Sequence, residues 1–305
     1  DDEAAAAILD SAAAAPDYAE SGPVAAAKTA VAAAAAGRDP RDFGGLDLVQ
    51  LIADGTDPAT GQVGPYGYAF GQALAILALQ RAGAAVPDAA VDYLLTFQDA
   101  AGAFGFSFGG AFSPDPDSTA LALMALAETG QTEAVSRAVA WAAANQTAEG
   151  YWDGFSPIDS TGLLGGALAE QGVDVSAAAA WLAAQQLADG GFPNGLGLTE
   201  SNAMTTANAL YLLSGRTYAT ASTALAGCPT EPTAEPTSEP TAEPTGEPTA
   251  GPTGEPTDEP TGQPTLPDTG GPAGQGPFGA AGLVLLILGG VLLKMARAVS
   301  PAPLR

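Results

Sequence analysis

The amino-acid sequence predicts an all-α fold, an α/α toroid in which about eleven helices alternate between inner and outer positions. Three observations lead to this prediction. A motif that combines a glycine with a nearby aromatic residue recurs along the chain. Helical segments of two kinds alternate between its copies, one apolar nearly all round and one with a single apolar stripe. Residues 1–227, before the composition changes at Cys228, are long enough to form one sizeable helical core.

The recurring motif consists of Gln, three variable residues, Gly, one variable residue and an aromatic residue. Its copies run from Gln98 to Phe104, from Gln146 to Trp152 and from Gln186 to Phe192, with a degenerate copy from Asp57 to Val63. Each copy follows a segment with helical apolar spacing. Because glycine suits the left-handed backbone that ends many helices, each copy is predicted to close an outer helix. Its aromatic residue is expected to fold back onto the helix end.

Segments that are apolar nearly all round predict inner helices near residues 23–36, 68–83, 116–129, 159–171 and 201–214. Such helices are buried inside larger assemblies, and their small Ala and Gly residues allow close approach. Residues 3–14 and 46–53 are predicted as outer helices. Asp117-Ser118 and Asp159-Ser160 are predicted to cap two inner helices, because Asp and Ser accept hydrogen bonds from the first backbone N–H groups.

The motif copies and their spacing resemble the prenyltransferase and squalene-oxidase (QW-like) repeat superfamily. The resemblance covers residues 44–218 well and the N-terminal part of the chain poorly. It implies that the helical hairpins close into a toroid. An open, curved array of the same hairpins is the structural alternative.

The composition excludes several function classes. The formal net charge of −25 argues against nucleic acid as a partner. The chain has no histidine, which removes the commonest general base and transition-metal ligand. Its only cysteine, Cys228, cannot form an internal disulfide. We therefore expect no metal site and no cofactor.

Residues 228–265 are predicted to form a stalk rich in Pro, Thr and Glu. From Glu231 the sequence repeats every four residues, with one proline in each repeat. Proline fixes φ and removes a backbone donor, and neighbouring glutamates repel each other. The segment is therefore expected to be disordered and extended, in the polyproline II conformation. Its expected role is a spacer that carries the helical domain through a cell wall.

Residues 266–305 carry a signal in three parts. An LPxTG motif comes first, an apolar run at 278–293 follows, and positive charges come last; the motif is Leu266, Pro267, Asp268, Thr269 and Gly270. The run is about 24 Å long as a helix, so it is predicted to be a transmembrane helix with the basic tail in the cytoplasm. This order resembles the sorting signal of Gram-positive surface proteins. It implies a transient membrane anchor, cleavage by sortase after Thr269, and covalent attachment to peptidoglycan at the cell surface.

One segment resembles a catalytic motif of the superfamily. Asp115-Pro116-Asp117-Ser118-Thr119-Ala120 is similar to the D-x-D-D-T-A motif of hopene-type terpene cyclases, except that Ser118 replaces the third aspartate. The resemblance implies an enzyme whose aspartates protonate an alkene. The competing interpretation is that Asp117 only caps a helix, since Asp159-Ser160-Thr161 repeats the pattern. A corrinoid-binding module and a purely structural or adhesive module are further alternatives.

The main functional prediction is a wall-anchored surface protein whose toroid binds a ligand and is not an enzyme. Loops that lead into the inner helices are rich in aromatic residues and glycine, and such surfaces suit glycans or small apolar ligands. No residue is assigned a catalytic role. The ligand-binding candidates are Tyr66, Tyr68, Phe106, Phe108, Asp115 and Phe155. Asp115 is preferred over Asp117 because Asp117 is expected to be engaged as a cap.

Overall fold

The structure is a computed structural model of the 305-residue chain, and it describes residues 2–14, 16–108, 110–194 and 199–222. The predicted stalk at 228–265, the sorting motif at 266–270 and the predicted transmembrane helix at 278–293 lie outside the described residues. In the part of the chain that is described, no helix is both long enough and apolar enough to cross a membrane.

Within the described ranges the chain forms eleven helices and one β-hairpin. In chain order the elements are α1 (Asp2–Ala14), α2 (Asp17–Glu20), α3 (Pro23–Ala35), α4 (Leu48–Asp54), α5 (Ala69–Arg81), α6 (Asp88–Leu95), β1 (Gly105–Phe108), β2 (Ala111–Pro114), α7 (Pro116–Leu126), α8 (Thr132–Asn145), α9 (Pro157–Glu170), α10 (Ser176–Ala183) and α11 (Ala203–Ser214). The two strands are antiparallel, with Gly105 opposite Pro114 and Phe108 opposite Ala111.

The helices form an inner ring and an outer ring. Helices α3, α5, α7, α9 and α11 pack against each other in chain order, and α4, α6, α8 and α10 each pack on an inner neighbour. The inner helices are buried over most of their surface. In α5, for example, every residue from Gly71 to Leu79 is buried. The predicted all-α toroid is confirmed, and each inner helix lies within a few residues of its predicted range.

Two elements depart from the sequence prediction. The short helix α2 was not predicted, and Phe106 and Phe108 belong to strand β1 rather than to a loop. A strand of four residues gives almost no periodic signal, and its partner β2 follows within the same connection. The hairpin therefore could not be distinguished from a glycine-rich loop.

Hydrogen bonds explain the first half of the recurring motif. The side-chain amides of Gln98, Gln146 and Gln186 donate to the carbonyl oxygens of Gly102, Gly150 and Gly190 over 3.0, 2.7 and 2.8 Å. At Gly102 φ is +105°, and an added Cβ would lie 2.3 Å from the carbonyl oxygen of Arg137. Only glycine fits there. The glutamine thus fixes a turn that the glycine makes possible.

The aromatic half of the motif is held by the next inner helix. The backbone N–H groups of Phe104, Trp152 and Phe192 donate to the hydroxyls of Thr119, Thr161 and Thr206 over 3.0, 3.2 and 2.9 Å. In the degenerate copy, the N–H of Val63 donates to Oε1 of Gln72 over 3.0 Å. These contacts define one equivalent position on each of the helices α5, α7, α9 and α11.

Asp115, and not Asp117, caps α7. Oδ2 of Asp115 accepts a hydrogen bond from the backbone N–H of Ser118 over 2.9 Å, and another from the Ser118 hydroxyl. Asp117 and Asp159 lie inside the first turns of α7 and α9. The prediction that they cap these helices is wrong, because the prolines at 116 and 157 begin each helix before them. Both carboxyl groups are therefore available for contacts between helices.

Candidate functional site

Asp117 is half-buried, and one of its two carboxyl oxygens has no hydrogen-bond partner in the described part of the chain. Its Oδ1 atom is sealed from solvent, and within the described residues no group donates to it. Burial, and then the negative charges of Asp115 and Asp159, raise the pKa of Asp117 to about 7, while Ser160 acts in the opposite direction. A carboxyl group with this pKa is about half protonated at neutral pH, so it can donate a proton.

Ser160 of α9 is the polar side chain that faces Asp117. Its effect on the pKa of Asp117 shows that the two groups are close, although the Ser160 Oγ atom is buried and makes no hydrogen bond of regular geometry. The loop before α9 covers this hydroxyl: a Cβ added at Gly154 would lie 2.2 Å from it. The pair is thus enclosed but not fully bonded.

Asp159 lies in the same layer and is fully paired. Its carboxylate accepts hydrogen bonds from the Thr205 hydroxyl over 3.1 Å and from the Asn208 side-chain amide over 2.7 Å. Both donors belong to α11, so Asp159 connects α9 to α11. Asp159 is therefore suited to holding the helices together rather than to proton transfer.

Tyr218 lies within reach of the charges of the two aspartates. The rings of Tyr211 and Tyr218 are 4.8 Å apart, and both residues are buried. Burial raises the pKa of Tyr218, a hydrogen bond with Tyr211 lowers it, and the charges of Asp117, Asp159 and Tyr18 raise it further. Burial raises the pKa of Tyr18 to about 12, with a further contribution from Tyr68. All four phenols are therefore neutral at physiological pH.

Residues 215–221, here called the strap, carry Tyr218 across the ring. The guanidinium of Arg81, at the end of α5, donates to the carbonyl oxygens of Ala219 and Ala221, each over 2.5 Å. The hydroxyls of Thr217 and Thr220 donate to Glu170 at the end of α9, over 2.6 and 2.7 Å. Since α7 separates α5 from α9 in the ring, the strap bridges inner helices that are not neighbours.

The predicted ligand-binding aromatics lie in the segments that lead into the inner helices α5, α7 and α9. Tyr66 and Phe155 are 79% and 80% exposed, and Phe106 on β1 is also exposed. Tyr68 is 37% exposed, and its partial burial raises its pKa. Its ring lies over the first turn of α5, where a Cβ added at Gly71 would be 2.7 Å from the ring. The side chain of Phe108 lies outside the described residues.

Sequence reasoning missed Ser160 and Tyr218, which interact with Asp117, and Tyr211, whose ring packs on Tyr218. Ser160 was assigned to a cap, and Tyr211 and Tyr218 follow no repeat pattern. Asp115, the predicted polar contact, is instead engaged as the cap of α7. One signal could have drawn attention to Ser160, namely the repetition of Asp-Ser-Thr at 117–119 and 159–161, which marks equivalent positions on adjacent inner helices. Tyr218 had no such signal, because its position depends on the path of the strap.

A separate apolar cavity lies on the outer side of the ring. It has a volume of about 420 Å³ and is lined by α4, α5, α6 and their connections, with Asp57 as its only charged lining residue. It contains none of the residues around Asp117. Among the described residues, no group of three or more Cys, Asp or Glu side chains is arranged to hold a metal ion.

The toroid is similar to solved structures of terpene cyclases. A variant of the type II terpene cyclase MstE from Scytonema, in complex with geranylgeranyl dihydroxybenzoate as substrate, has 20% identity, a TM-score of 0.51 and coverage of 63% of this chain and 62% of that chain. A variant in complex with merosterolic acid A as product has 19% identity, a TM-score of 0.52 and coverage of 62% of each chain. The fold is that of the type II terpene cyclases.

Other comparisons add little to this. The ent-copalyl diphosphate synthase from Streptomyces platensis matches with 25% identity, a TM-score of 0.49 and coverage of 63% of this chain and 39% of that chain. The chain thus spans less than two thirds of the length of each cyclase it matches. The family described as the PT disordered repeat matches residues 231–266, which cover most of the predicted stalk at 228–265 and one residue after it. The comparison with curated proteins gave no match.

These findings correct the main functional prediction. The predicted non-catalytic binding module, and with it the prediction that the protein is not an enzyme, is contradicted by the likeness to catalytic cyclases with bound substrate and product. The findings favour the alternative, a terpene-cyclase-like enzyme. The error has a physical origin: Asp117 was assigned to a capping role that Asp115 performs, so its freedom to act as an acid was overlooked.

Proposed function

We propose that the toroid is a terpene-cyclase-like enzyme in which Asp117 is the general acid. The observation that carries the proposal is the Asp117 carboxyl group itself, whose Oδ1 atom is shielded from solvent and unpaired and whose pKa is raised to about 7. General acids work best when their pKa lies near the working pH. The likeness in fold to type II terpene cyclases supports the same assignment.

The proposed reaction begins with proton transfer to an alkene. The Asp117 O–H bond breaks, and the π electrons of a terminal carbon–carbon double bond form a new C–H bond, which leaves a tertiary cation. A second double bond of the same chain attacks this cation and closes a ring. Loss of a proton from the last cation to water restores an alkene. The product is an isomer of the substrate, and no oxidant or reductant is required.

The surroundings of Asp117 suit such cations. Tyr218, whose ring is 4.8 Å from that of Tyr211, lies within electrostatic range of Asp117, and aromatic faces attract cations more strongly when water is excluded. Asp159, which accepts hydrogen bonds from Thr205 and Asn208, lies on the neighbouring inner helix. Ser118, which replaces the third aspartate of the cyclase motif, donates to Asp115 and so adds no further charge next to the acid.

We propose linear isoprenoid chains as the substrate class. Their double bonds are the groups that a buried carboxylic acid can protonate, and a geranylgeranyl chain is present in the substrate named for the MstE complex. The exposed Tyr66, Tyr68, Phe106 and Phe155 would guide such a chain towards the ring. Asp115, another candidate of the sequence prediction, would keep its role as the cap of α7.

The test is product formation by the full chain. The purified protein is incubated with geranylgeraniol and with geranylgeranyl dihydroxybenzoate, and the extracts are analysed by mass spectrometry with chromatography. We expect a cyclic isomer of unchanged mass. Asp117→Asn should reduce its rate by about 10²–10⁴-fold, whereas Asp92→Asn, an exposed aspartate on α6, should leave it unchanged. Equal rates in the two variants would refute the role of Asp117.

We also propose that the protein is attached to the cell wall, with residues 228–265 as a spacer and residues 266–305 as the sorting signal. The proposal rests on the order of the LPxTG motif, the apolar run and the basic tail. Sortase and peptidoglycan are the implied partners. Muramidase should release the protein with wall fragments on Thr269, and Thr269→Ala should remain in the membrane fraction. Extraction of both forms by detergent alone would contradict the proposal.

A further inference from the structure

Asp117 and Asp159 occupy equivalent positions in the repeat. Each lies two residues before a threonine, Thr119 or Thr161, whose hydroxyl accepts the backbone N–H of the preceding motif aromatic. The same register continues on α11, where Thr206 accepts the N–H of Phe192. Positions on α7, α9 and α11 can therefore be compared one by one, counted from these threonines.

The contacts of Asp159 show what an aspartate at this position meets on the next inner helix. Its donors on α11 are Thr205 and Asn208, one residue before and two residues after Thr206. The corresponding residues on α9 are Ser160 and Leu163, one residue before and two residues after Thr161. At the position where Asp159 meets the Thr205 hydroxyl, the register therefore places the hydroxyl of Ser160 for Asp117. At the position where Asp159 meets the Asn208 amide, the register places the buried Leu163.

Two observations agree with this register. Ser160 of α9 lowers the pKa of Asp117, which agrees with its position in the register, because Ser160 corresponds to the Thr205 that donates to Asp159. In addition, Oδ1 of Asp117 has no donor within the described residues, whereas Oδ1 of Asp159 accepts from Asn208 over 2.7 Å. The missing bond of Asp117 is thus the one that an amide at position 163 would supply.

We propose that Leu163 is the positioning residue that keeps Oδ1 of Asp117 unpaired: it occupies the place from which Asn208 binds Asp159, and it withholds the amide donor. The expected effect of Leu163 on product formation rests on the proposed function, whereas its expected effect on the pKa of Asp117 does not. Without an amide, the charged form of Asp117 loses a hydrogen bond in a buried site and the protonated form is favoured. The other charged or titratable groups near Asp117 are Asp115, Asp159 and Tyr218. All three are still present in a variant in which only residue 163 is replaced.

The experiment adds the missing donor and observes the carboxyl group directly. The full chain is labelled with ¹³C-aspartate, and the Asp117 carboxyl is titrated by NMR, with Asp117→Asn to identify its signal. In Leu163→Asn the pKa of Asp117 is expected to fall by at least about one unit. Leu163→Ala removes the same leucine without adding a donor, so it should leave the pKa high. An unchanged pKa in a folded Leu163→Asn protein would overturn the proposal.

A smaller donor and a kinetic readout complete the test. Leu163→Ser adds a hydroxyl in less volume, and it should also lower the pKa of Asp117 if Leu163→Asn fails to fold. With geranylgeranyl dihydroxybenzoate as substrate, the pH above which product formation declines should move down by the same shift. A pKa that shifts while no variant forms product would support the role of Leu163 and refute the proposed cyclase function. A pKa that stays high in both donor variants would refute the role of Leu163 alone.

Discussion

At the scale of single residues, Asp117 and Asp159 differ in the number of hydrogen bonds that their carboxyl groups accept. Asp117 and Asp159 have the same place in the repeat, and both lie in the first turn of a buried helix. Asp159 has two donors on α11, while Asp117 has a hydroxyl that does not bond regularly and an unpaired Oδ1 atom. Unpaired buried polar atoms lower stability, so an unpaired carboxyl oxygen at this position of the repeat points to function.

The raised pKa of Asp117 predicts how stability depends on pH. Because the folded protein holds this proton more tightly than the unfolded chain, its free energy of unfolding should fall as pH rises from about 4 to about 7. The loss should reach about 2–4 kcal/mol. An asparagine side chain does not titrate, so this pH-dependent contribution is absent in Asp117→Asn. The free energy of unfolding of the variant should equal that of the wild type at pH 4 and exceed it at pH 8. Urea titrations across this range measure the difference, and a difference that does not vary with pH would contradict the shifted pKa.

Truncation of two aromatic residues that are close in sequence should change the free energy of unfolding by very different amounts. Trp152 is buried, and its indole N–H donates to the carbonyl oxygen of Ala142 over 2.8 Å. Trp152→Ala should therefore lower the free energy of unfolding by about 3–5 kcal/mol. Phe155 is 80% exposed, so Phe155→Ala should change it by less than about 0.5 kcal/mol. Chemical denaturation measures both values, and a large loss in Phe155→Ala would show that this residue belongs to the core.

The hydrogen bonds of Asp159 should be worth more than an exposed contact. Asn208→Leu removes the donor at 2.7 Å from a buried carboxylate while keeping the side chain at a similar volume. Loss of a bond to a charged group costs about 1.5–3 kcal/mol. Gln50→Leu removes an exposed amide that donates to Asp54 over 2.7 Å, and it should cost less than about 0.5 kcal/mol. Similar costs in the two variants would mean that Asp159 does not depend on Asn208.

At the scale of elements, the repeat motif is a joint between an outer helix and the next inner helix. The glutamine and glycine shape the turn, and a threonine on the following inner helix binds the aromatic backbone. This local chemistry is written in neighbouring residues, and for that reason the sequence was sufficient to predict the inner helices and the toroid. The hairpin β1–β2, the cap at Asp115 and the strap depend on contacts between distant residues or on very short elements, and these could not be predicted.

The joint predicts a specific cost for losing the threonine hydroxyl. Thr161→Val keeps the shape of the side chain but leaves the N–H of Trp152 without its acceptor. An unpaired buried donor costs about 1–3 kcal/mol. Thr132→Val, at an exposed threonine at the start of α8, is the matched control and should be nearly neutral. Thermal unfolding of both variants checks the difference, and an equally small change at Thr161 would remove the threonines from the explanation of the repeat.

At the scale of the whole toroid, the strap connects helices across the ring and carries Tyr218 to the site. Its attachment depends on Arg81 at the end of α5 and on Glu170 at the end of α9. The site therefore consists of residues from the three inner helices α7, α9 and α11, together with a segment that follows the last of them. Separation of this kind in sequence explains why the acid could be found in a motif, while its aromatic neighbours could not.

The attachment of the strap can be tested by hydrogen exchange. Arg81→Met removes both bonds to the strap carbonyls, so amides of residues 217–221 should exchange roughly tenfold faster or more. The inner helices should keep their protection. Arg41→Met is the control, because Arg41 donates to the carbonyl oxygen of Ala82 from an exposed position. Unchanged exchange in the strap would show that Arg81 does not hold it.

Solvent deuterium tests the central claim, proton transfer from Asp117, most directly. The acidic proton of Asp117 exchanges with solvent, so cyclisation of geranylgeranyl dihydroxybenzoate in D₂O should place one deuterium on carbon in every product molecule. Mass spectrometry should show a product one mass unit heavier with the wild type and a strongly reduced yield with Asp117→Asn. Product without deuterium, labelled product formed equally fast by Asp117→Asn, or no product from the folded wild type would contradict the account.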